Sequence, residues 1–125
     1  TSGRIELKIT GLRSSRGQVF VALFLSDKKF PGTPPPGTLS RNAKIVNQVA
    51  EVQFESVPPG EFAITVFHDE DGDGELRTNF IGIPKEGIGF SRDARARIGA
   101  PNYDDAKLML RPGQLEKLTI TMWYL

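Results

Sequence analysis

Short apolar stretches with a two-residue period, separated by prolines and glycines, limit what this chain can fold into. Ile5, Leu7 and Ile9 alternate with polar residues, which is typical of a strand with one buried and one solvated face. We therefore predict a first strand over residues 4–10. The stretch 18–25 is apolar on both faces, which indicates a central strand of a sheet.

Further strand patterns follow along the chain. Between the second and third strands, residues 26–43 contain four prolines, so we predict a long surface loop with one helical turn near residues 27–30. The later segments with strand character are an imperfect one at 43–54, a strong one at 61–68, and two more at 106–110 and 115–124.

Six or seven short strands, without a convincing amphipathic helix, favour an all-β fold. The predicted architecture is an antiparallel sandwich of the immunoglobulin-like kind, and a small closed barrel is the alternative. The 125 residues are enough for one domain. We therefore expect residues 1–125 to form a single β-sandwich domain.

The amino-acid composition argues against several classes of function. Sixteen basic and fifteen acidic residues leave a formal charge of +1, whereas nucleic-acid-binding proteins normally carry a concentrated basic face. The absence of cysteine excludes disulfides and zinc–thiolate sites. No apolar stretch approaches the roughly 20 residues that a transmembrane helix needs. Nucleic acid and a membrane span are thus not expected.

An acidic loop follows the strong strand pattern at 61–68. Three carboxylates in it alternate with spacer residues, and Gly74 follows the third. Such carboxylates can converge on one hard cation while the glycine makes a sharp turn. We predict a structural Ca²⁺ site, with a dissociation constant on the order of 10⁻⁴–10⁻³ M as in extracellular modules. The predicted ligands are Asp69, Asp71, Asp73, Glu75 and Asn79.

This loop is not an EF-hand. The twelfth position of an EF-hand loop would fall on Phe80, where a bidentate glutamate normally stands, and no helix pattern flanks the loop. Two alternatives to calcium stay open. One is a solvated turn, or a turn paired with Arg77, because Asp and Gly suit turn geometry. The other is a different hard ion such as Mg²⁺.

Two more sites are candidates for function. His68, the only histidine, adjoins the acidic loop. It is a candidate general acid or base or a metal ligand. The alternative is a structural role, in which its ring makes hydrogen bonds to the backbone of the loop. The glycine-rich stretch 82–91 is a possible partner surface with exposed apolar side chains, or else a loop packed over one end of the sandwich. The residues of this surface are Gly87, Ile88, Phe90 and Arg92.

Several motifs resemble known families. Residues 54–69 look like the turn-and-strand signature of transthyretin-like and collagen-adhesin-repeat sandwiches. Residues 68–76, 82–91 and 100–106, taken in order, resemble the bacterial family catalogued as domain of unknown function twenty-one forty-one. This resemblance implies a small exported sandwich protein made with a signal peptide, and it implies no known enzymatic activity. Cationic side chains at Arg77 and Arg92 depart from the family pattern near the acidic loop.

The leading hypothesis is a non-enzymatic binding or assembly module of the bacterial cell envelope. We expect the protein to be exported to the periplasm, the cell surface or the medium after removal of a signal peptide, and to bind an unknown protein or glycan. A second hypothesis is a metal-assisted hydrolase that uses His68 beside the cation. A third is a subunit of an extracellular homo-oligomer in which edge strands pair between copies.

Overall fold

The computed structural model describes residues 1–27, 30, 38–69, 87–94 and 101–124. Besides its strands, it contains a 3₁₀ turn over Ser91–Asp93 and a one-turn helix, α1, over Tyr103–Ala106. No helix among these residues is long and apolar enough to span a membrane. The eight strands are β1 (Gly3–Thr10), β2 (Gln18–Phe24), β3 (Leu39–Lys44), β4 (Ala50–Val57), β5 (Gly60–Asp69), β6 (Ile88–Phe90), β7 (Leu108–Leu110) and β8 (Leu115–Thr121).

The strands form two sheets. The first sheet has the order β4-β1-β8, and the second has the order β3-β2-β5-β6, with β7 paired to the beginning of β5. All pairs are antiparallel except β1 with β8, which run parallel. The predicted β-sandwich is confirmed, with eight strands described instead of six or seven.

The period-two patterns place the core between the sheets. In β1, Ile5, Leu7 and Ile9 are buried and the residues between them face outward. In β5 both faces are buried, as expected for a strand that lies between β2 and β6. One face points between the sheets. The other contributes Ala63 and Phe67 to a separate group that we call the outer cluster, formed by Ala63, Phe67, Ile88, Phe90, Ala94 and Ala106.

Two isolated backbone bridges lie outside the strand ladders. At the first, Val46 and Val49 exchange backbone hydrogen bonds of 2.9 and 3.0 Å in the hairpin between β3 and β4. At the second, Ile88 and Trp123 exchange hydrogen bonds of 3.1 and 2.9 Å, which join β6 to the residues after β8. The second bridge therefore connects the second sheet by backbone hydrogen bonds to the segment that leaves the first sheet.

Two predictions about the region before β5 are wrong. Leu39–Lys44 is a strand paired with β2, although the sequence assigns it to the end of a loop. The imperfect strand predicted over 43–54 is interrupted by a tight turn in which Asn47 and Gln48 have φ values of 53° and 63°. The turn reverses the chain, as left-handed residues do in hairpins, and the two strands that flank it pair with different partners, β3 with β2 and β4 with β1.

The region after the acidic loop also differs from expectation. The described part of the irregular stretch predicted to extend to about residue 102 contains two elements, β6 and the 3₁₀ turn. The strand predicted over 106–110 begins only at Leu108, because Ala106 ends α1. The single turn predicted near 27–30 is consistent with a 3.2 Å hydrogen bond from the Phe30 amide to the Asp27 carbonyl.

Candidate functional site at the end of strand β5

Strand β5 ends at the first residue of the acidic loop. Asp69 lies opposite Gln18 of β2 and its side chain is 0% exposed. A buried carboxylate is costly unless positive charge or hydrogen-bond donors compensate it. Asp69 already takes part in an interaction within the fold, so its burial fixes the position of the carboxylate but does not by itself require a bound cation.

The remaining predicted ligands lie outside the described residues. These are Asp71, Asp73, Glu75 and Asn79, so the calcium loop remains a prediction. Within residues 1–27, 30, 38–69, 87–94 and 101–124, no group of three or more His, Asp or Glu side chains could hold a metal ion. Asp69 alone connects the predicted site to the described fold.

His68 is held by two hydrogen bonds from its buried ring. Nε2 lies 2.9 Å from the carbonyl oxygen of Arg16, and Nδ1 lies 2.7 Å from the hydroxyl of Tyr124. A carbonyl can only accept, so Nε2 must donate, and in the neutral ring Nδ1 accepts the proton of the tyrosine hydroxyl. The same hydroxyl accepts a 3.1 Å hydrogen bond from the Arg13 amide.

These bonds leave neither ring nitrogen of His68 available for chemistry. A general base or metal ligand needs a ring nitrogen that reaches the substrate or the ion, whereas this ring is 0% exposed and both nitrogens are engaged. The geometry is that of a structural histidine, the alternative that the sequence left open. The catalytic hypothesis for His68 gains no support from it.

Tyr124 is enclosed by three neighbours. Its ring packs edge-on against His68 at a centroid separation of 5.9 Å, and the Arg13 guanidinium lies 4.6 Å from its centroid. A Cβ on Gly87 would stand 2.5 Å from Cζ and 2.9 Å from the hydroxyl oxygen of Tyr124. Gly87 therefore provides the space in which the tyrosine reaches His68.

The Tyr124→Phe variant is expected to unfold with a free energy about 1–2 kcal/mol lower than the parent protein. It removes the hydroxyl that donates to buried Nδ1 of His68, and an unsatisfied buried acceptor costs about 1–3 kcal/mol. Urea unfolding measures the difference. Tyr103→Phe is the matched control, because it also removes a tyrosine hydroxyl but takes no hydrogen bond from His68; equal losses in both variants would contradict the assignment.

The predicted partner surface is not exposed as the sequence suggests. Ile88 and Phe90 are 3% and 1% exposed and belong to the outer cluster, so the prediction of an exposed apolar surface is wrong. Gly89 allows this burial, because a Cβ there would stand 2.7 Å from Cγ2 of Ile120. Of the four residues predicted for this surface, only Arg92 is exposed.

Ser91 is a buried residue that the sequence did not single out. Its Oγ donates a 2.5 Å hydrogen bond to the carbonyl of Ala106 and accepts a 3.0 Å hydrogen bond from the amide of Ile64. One hydroxyl thus ties α1 and the 3₁₀ turn to β5. Its two partners are distant in sequence, and a serine between Phe90 and Arg92 carries no local signal of this role.

The charged groups near α1 are mostly solvated. Lys107 lies 3.3 Å from Asp104 and 3.8 Å from Glu61, and the hydrogen bond that its ammonium group donates to Asp104 is the main reason that its pKa is raised. Burial, followed by the negative charge of Glu61, raises the pKa of the nearby Tyr103 hydroxyl. Exposed ion pairs of this kind contribute little to stability, so this group is not a candidate site.

The outer face of the first sheet carries a shallow cavity of about 310 Å³. Its lining alternates in charge across the three strands. Lys8 of β1 stands opposite Glu51 of β4, and Glu6 stands beside Lys117 of β8. The full lining is Glu6, Leu7, Lys8, Glu51, Val52, Gln53, Lys117, Leu118 and Thr119.

The comparisons with known proteins give one match. A family model described as an uncharacterized protein conserved in bacteria (DUF2141) matches residues 7–117. The searches of curated proteins and of solved structures found no match. The matched range includes His68, the acidic loop and the stretch 82–91. The transthyretin-like description stays a prediction.

Proposed function

Since this chain belongs to the uncharacterized bacterial family DUF2141, we propose that it is a non-enzymatic, exported β-sandwich that serves as a binding or assembly module of the cell envelope. A structural calcium ion in the 69–79 loop would organise the loops at that end of the sandwich. The module would bind a protein or glycan, or further copies of itself.

The observation that best supports this proposal is the position of Asp69, which is the last residue of the central strand β5 and the first residue of the acidic loop. Two more aspartates follow at alternating positions. Carboxylates this close in sequence repel one another unless a cation or a basic side chain neutralises them. Oxygen ligands alone suit Ca²⁺ or Mg²⁺, and Ca²⁺ accepts a wider range of ligand numbers and geometries than Mg²⁺ does.

Metal-assisted hydrolysis is the second candidate, and it has less support. It requires an active group beside the cation, yet the only histidine uses both ring nitrogens in buried hydrogen bonds. Turnover of ester, phosphate or glycan model substrates that disappears in the His68→Ala variant would favour the hydrolase. Absence of turnover across such a panel would leave the module as the better account.

Millimolar calcium is expected to raise the thermal unfolding midpoint by about 3–8 °C relative to chelator, with a smaller effect of magnesium. A tenfold excess over the dissociation constant adds about 1.4 kcal/mol to the free energy of unfolding, and a domain of this size gains a few degrees per kcal/mol. Differential scanning fluorimetry or calorimetry in chelator, Mg²⁺ and Ca²⁺ gives the measurement.

The Asp71→Ala variant is expected to lose the calcium shift, because it removes one predicted ligand. Glu55→Ala is the matched control, since it removes an exposed carboxylate of β4 and should keep the shift. If the parent protein shows no calcium-specific rise, the aspartates form a solvated or arginine-paired turn, and the calcium part of the proposal is wrong.

A further inference from the structure

The two edges of the first sheet have unpaired backbone groups. The Arg4 amide donates to Gln114 and the Thr10 carbonyl accepts from Met122, each over 2.8 Å, so even-numbered residues of β1 direct their backbone groups to β8. Successive residues of a strand alternate in this direction. The odd-numbered residues of β1 therefore pair with β4.

The same alternation identifies which groups face outward. Lys117 and Thr119 of β8, and Glu51 and Gln53 of β4, direct their backbone N–H and C=O groups away from β1. None of these groups has a backbone partner within the part of the chain that the structure describes. Such edges are templates for another strand, because the donors and acceptors are already aligned.

The charges on the two edges are opposite. The β8 edge carries Lys117 as its outermost charge. Lys117 stands beside Glu6 of β1, whereas Lys8 of β1 lies opposite Glu51 of β4. The β4 edge carries Glu51 and Glu55, both exposed. Opposite charges on facing strands stabilise their pairing and like charges oppose it. The β8 edge therefore complements the β4 edge of another copy better than it complements itself.

Both edges end at defined points. Asp93 Oδ1 accepts a 2.8 Å hydrogen bond from the outward amide of Thr121, which closes the β8 edge at that residue. On β4, the hairpin at Val46–Val49 limits one side and a bulge at Ser56, with a φ of 57°, limits the other. The open windows are thus residues 115–119 and 51–55.

We propose that β8 of one copy pairs with β4 of a second copy to continue the first sheet. β8 is parallel to β1 and β4 is antiparallel to it, so copies in the same orientation bring the two edges together antiparallel. The windows match when Lys117 lies opposite Gln53 of the second copy. Glu51 and Glu55 of that copy are then its diagonal neighbours, within reach of a lysine side chain.

This contact joins different surfaces, and so it repeats head to tail unless the rotation closes a ring. The inference rests on the assembly role proposed above and names the partner as a second copy of this chain. It does not depend on calcium. Self-association can therefore fail while the calcium shift is present, and the reverse can also occur.

Blocking one edge is the first test. Proline at residue 119 removes an N–H that has no backbone partner among the described residues, and edge strands tolerate proline at such positions. In sedimentation velocity from micromolar to millimolar concentration, the parent protein is expected to form dimers and larger species. Thr119→Pro should weaken this association by about tenfold or more, and Thr119→Val, which keeps the N–H, should not.

Charge reversal tests the choice of edges. Lys117→Glu alone, and Glu51→Lys with Glu55→Lys, are each expected to weaken association roughly fivefold to thirtyfold, because two diagonal pairs change from attraction to repulsion. The triple variant should regain association at the parental level. All three changes are at exposed positions. Lys117→Glu also stands beside Glu6, and Glu51→Lys stands opposite Lys8, so the thermal midpoint is expected to fall slightly; a single cooperative transition confirms that each monomer is folded.

Mixing two blocked variants tests the head-to-tail arrangement. Gln53→Pro blocks the β4 edge in the same way that Thr119→Pro blocks the β8 edge. Each variant alone should stay monomeric, and an equimolar mixture should form dimers but no larger species. A parent protein that remains monomeric at millimolar concentration would overturn the proposal. So would association that is insensitive to the Glu51 and Glu55 reversals, which would indicate pairing of β8 with itself.

Discussion

Replacing Phe54 with alanine is expected to lower the free energy of unfolding by about 3–5 kcal/mol, the range for a buried phenylalanine. The ring is 0% exposed and lies on the inner face of β4, in the core between the two sheets. The guanidinium of Arg41, on the other sheet, lies 5.2 Å from its centroid. Truncation therefore leaves a cavity and removes a cation–π contact between the sheets.

Urea unfolding of Phe54→Ala, Phe54→Leu and Gln53→Ala separates the causes of this loss. Gln53 is the adjacent residue on the exposed face of β4, and its truncation should change stability by no more than about 0.5 kcal/mol. Leucine should restore a large part of the lost apolar volume. Losses below 1 kcal/mol for Phe54→Ala would mean that the two sheets do not close over this position as described.

The second large effect is expected at Ser91. The Ser91→Ala variant should unfold with a free energy roughly 2–4 kcal/mol lower, because it leaves the Ile64 amide and the Ala106 carbonyl without their hydrogen-bond partner. Each unsatisfied buried group costs about 1–3 kcal/mol. The change in volume is small, so lost hydrogen bonds rather than a cavity account for most of the effect.

Hydrogen exchange gives this prediction a second measurement. The Ser91→Ala substitution should increase the exchange rate of the Ile64 amide by a larger factor than that of the Val66 amide. This difference should persist after correction for the change in global stability. Ser40→Ala is the matched control, because Ser40 is exposed on β3 and its side chain makes no described hydrogen bond to the core. If both serine variants are equally stable, Ser91 does not bridge β5 and α1.

Periodicity predicts the strands whose burial depends on local sequence. β1, β2 and β5 are confirmed nearly residue for residue, because each buries a face or both faces that its own apolar residues define. Periodicity does not predict β3. Its side chains are exposed or half-buried, so it is held by edge pairing with β2 rather than by a pattern that the sequence displays.

In the candidate site, too, local sequence predicts some features and not others. The acidic loop is evident from consecutive residues, and Asp69 is placed at a strand end as the pattern predicts. The role of His68 depends on Tyr124 and Arg16, which are far away in sequence. Ile88 and Phe90 look exposed in a glycine-rich segment, yet they are covered by residues from β5 and by Trp123. Partners of this kind cannot be read from local sequence.

The parallel pairing of β1 with β8 places a constraint on the order of folding. Leu7 pairs with Leu118, so the middle strand of the first sheet receives one of its two partners from almost the opposite end of the sequence. Contacts between residues so far apart in sequence form slowly, because the intervening chain must be closed into a loop. While the chain is being synthesised, β1 has β4 on one side and nothing on the other. The ribosome must therefore release the chain as far as β8 before the first sheet, and with it the β-sandwich, can be completed.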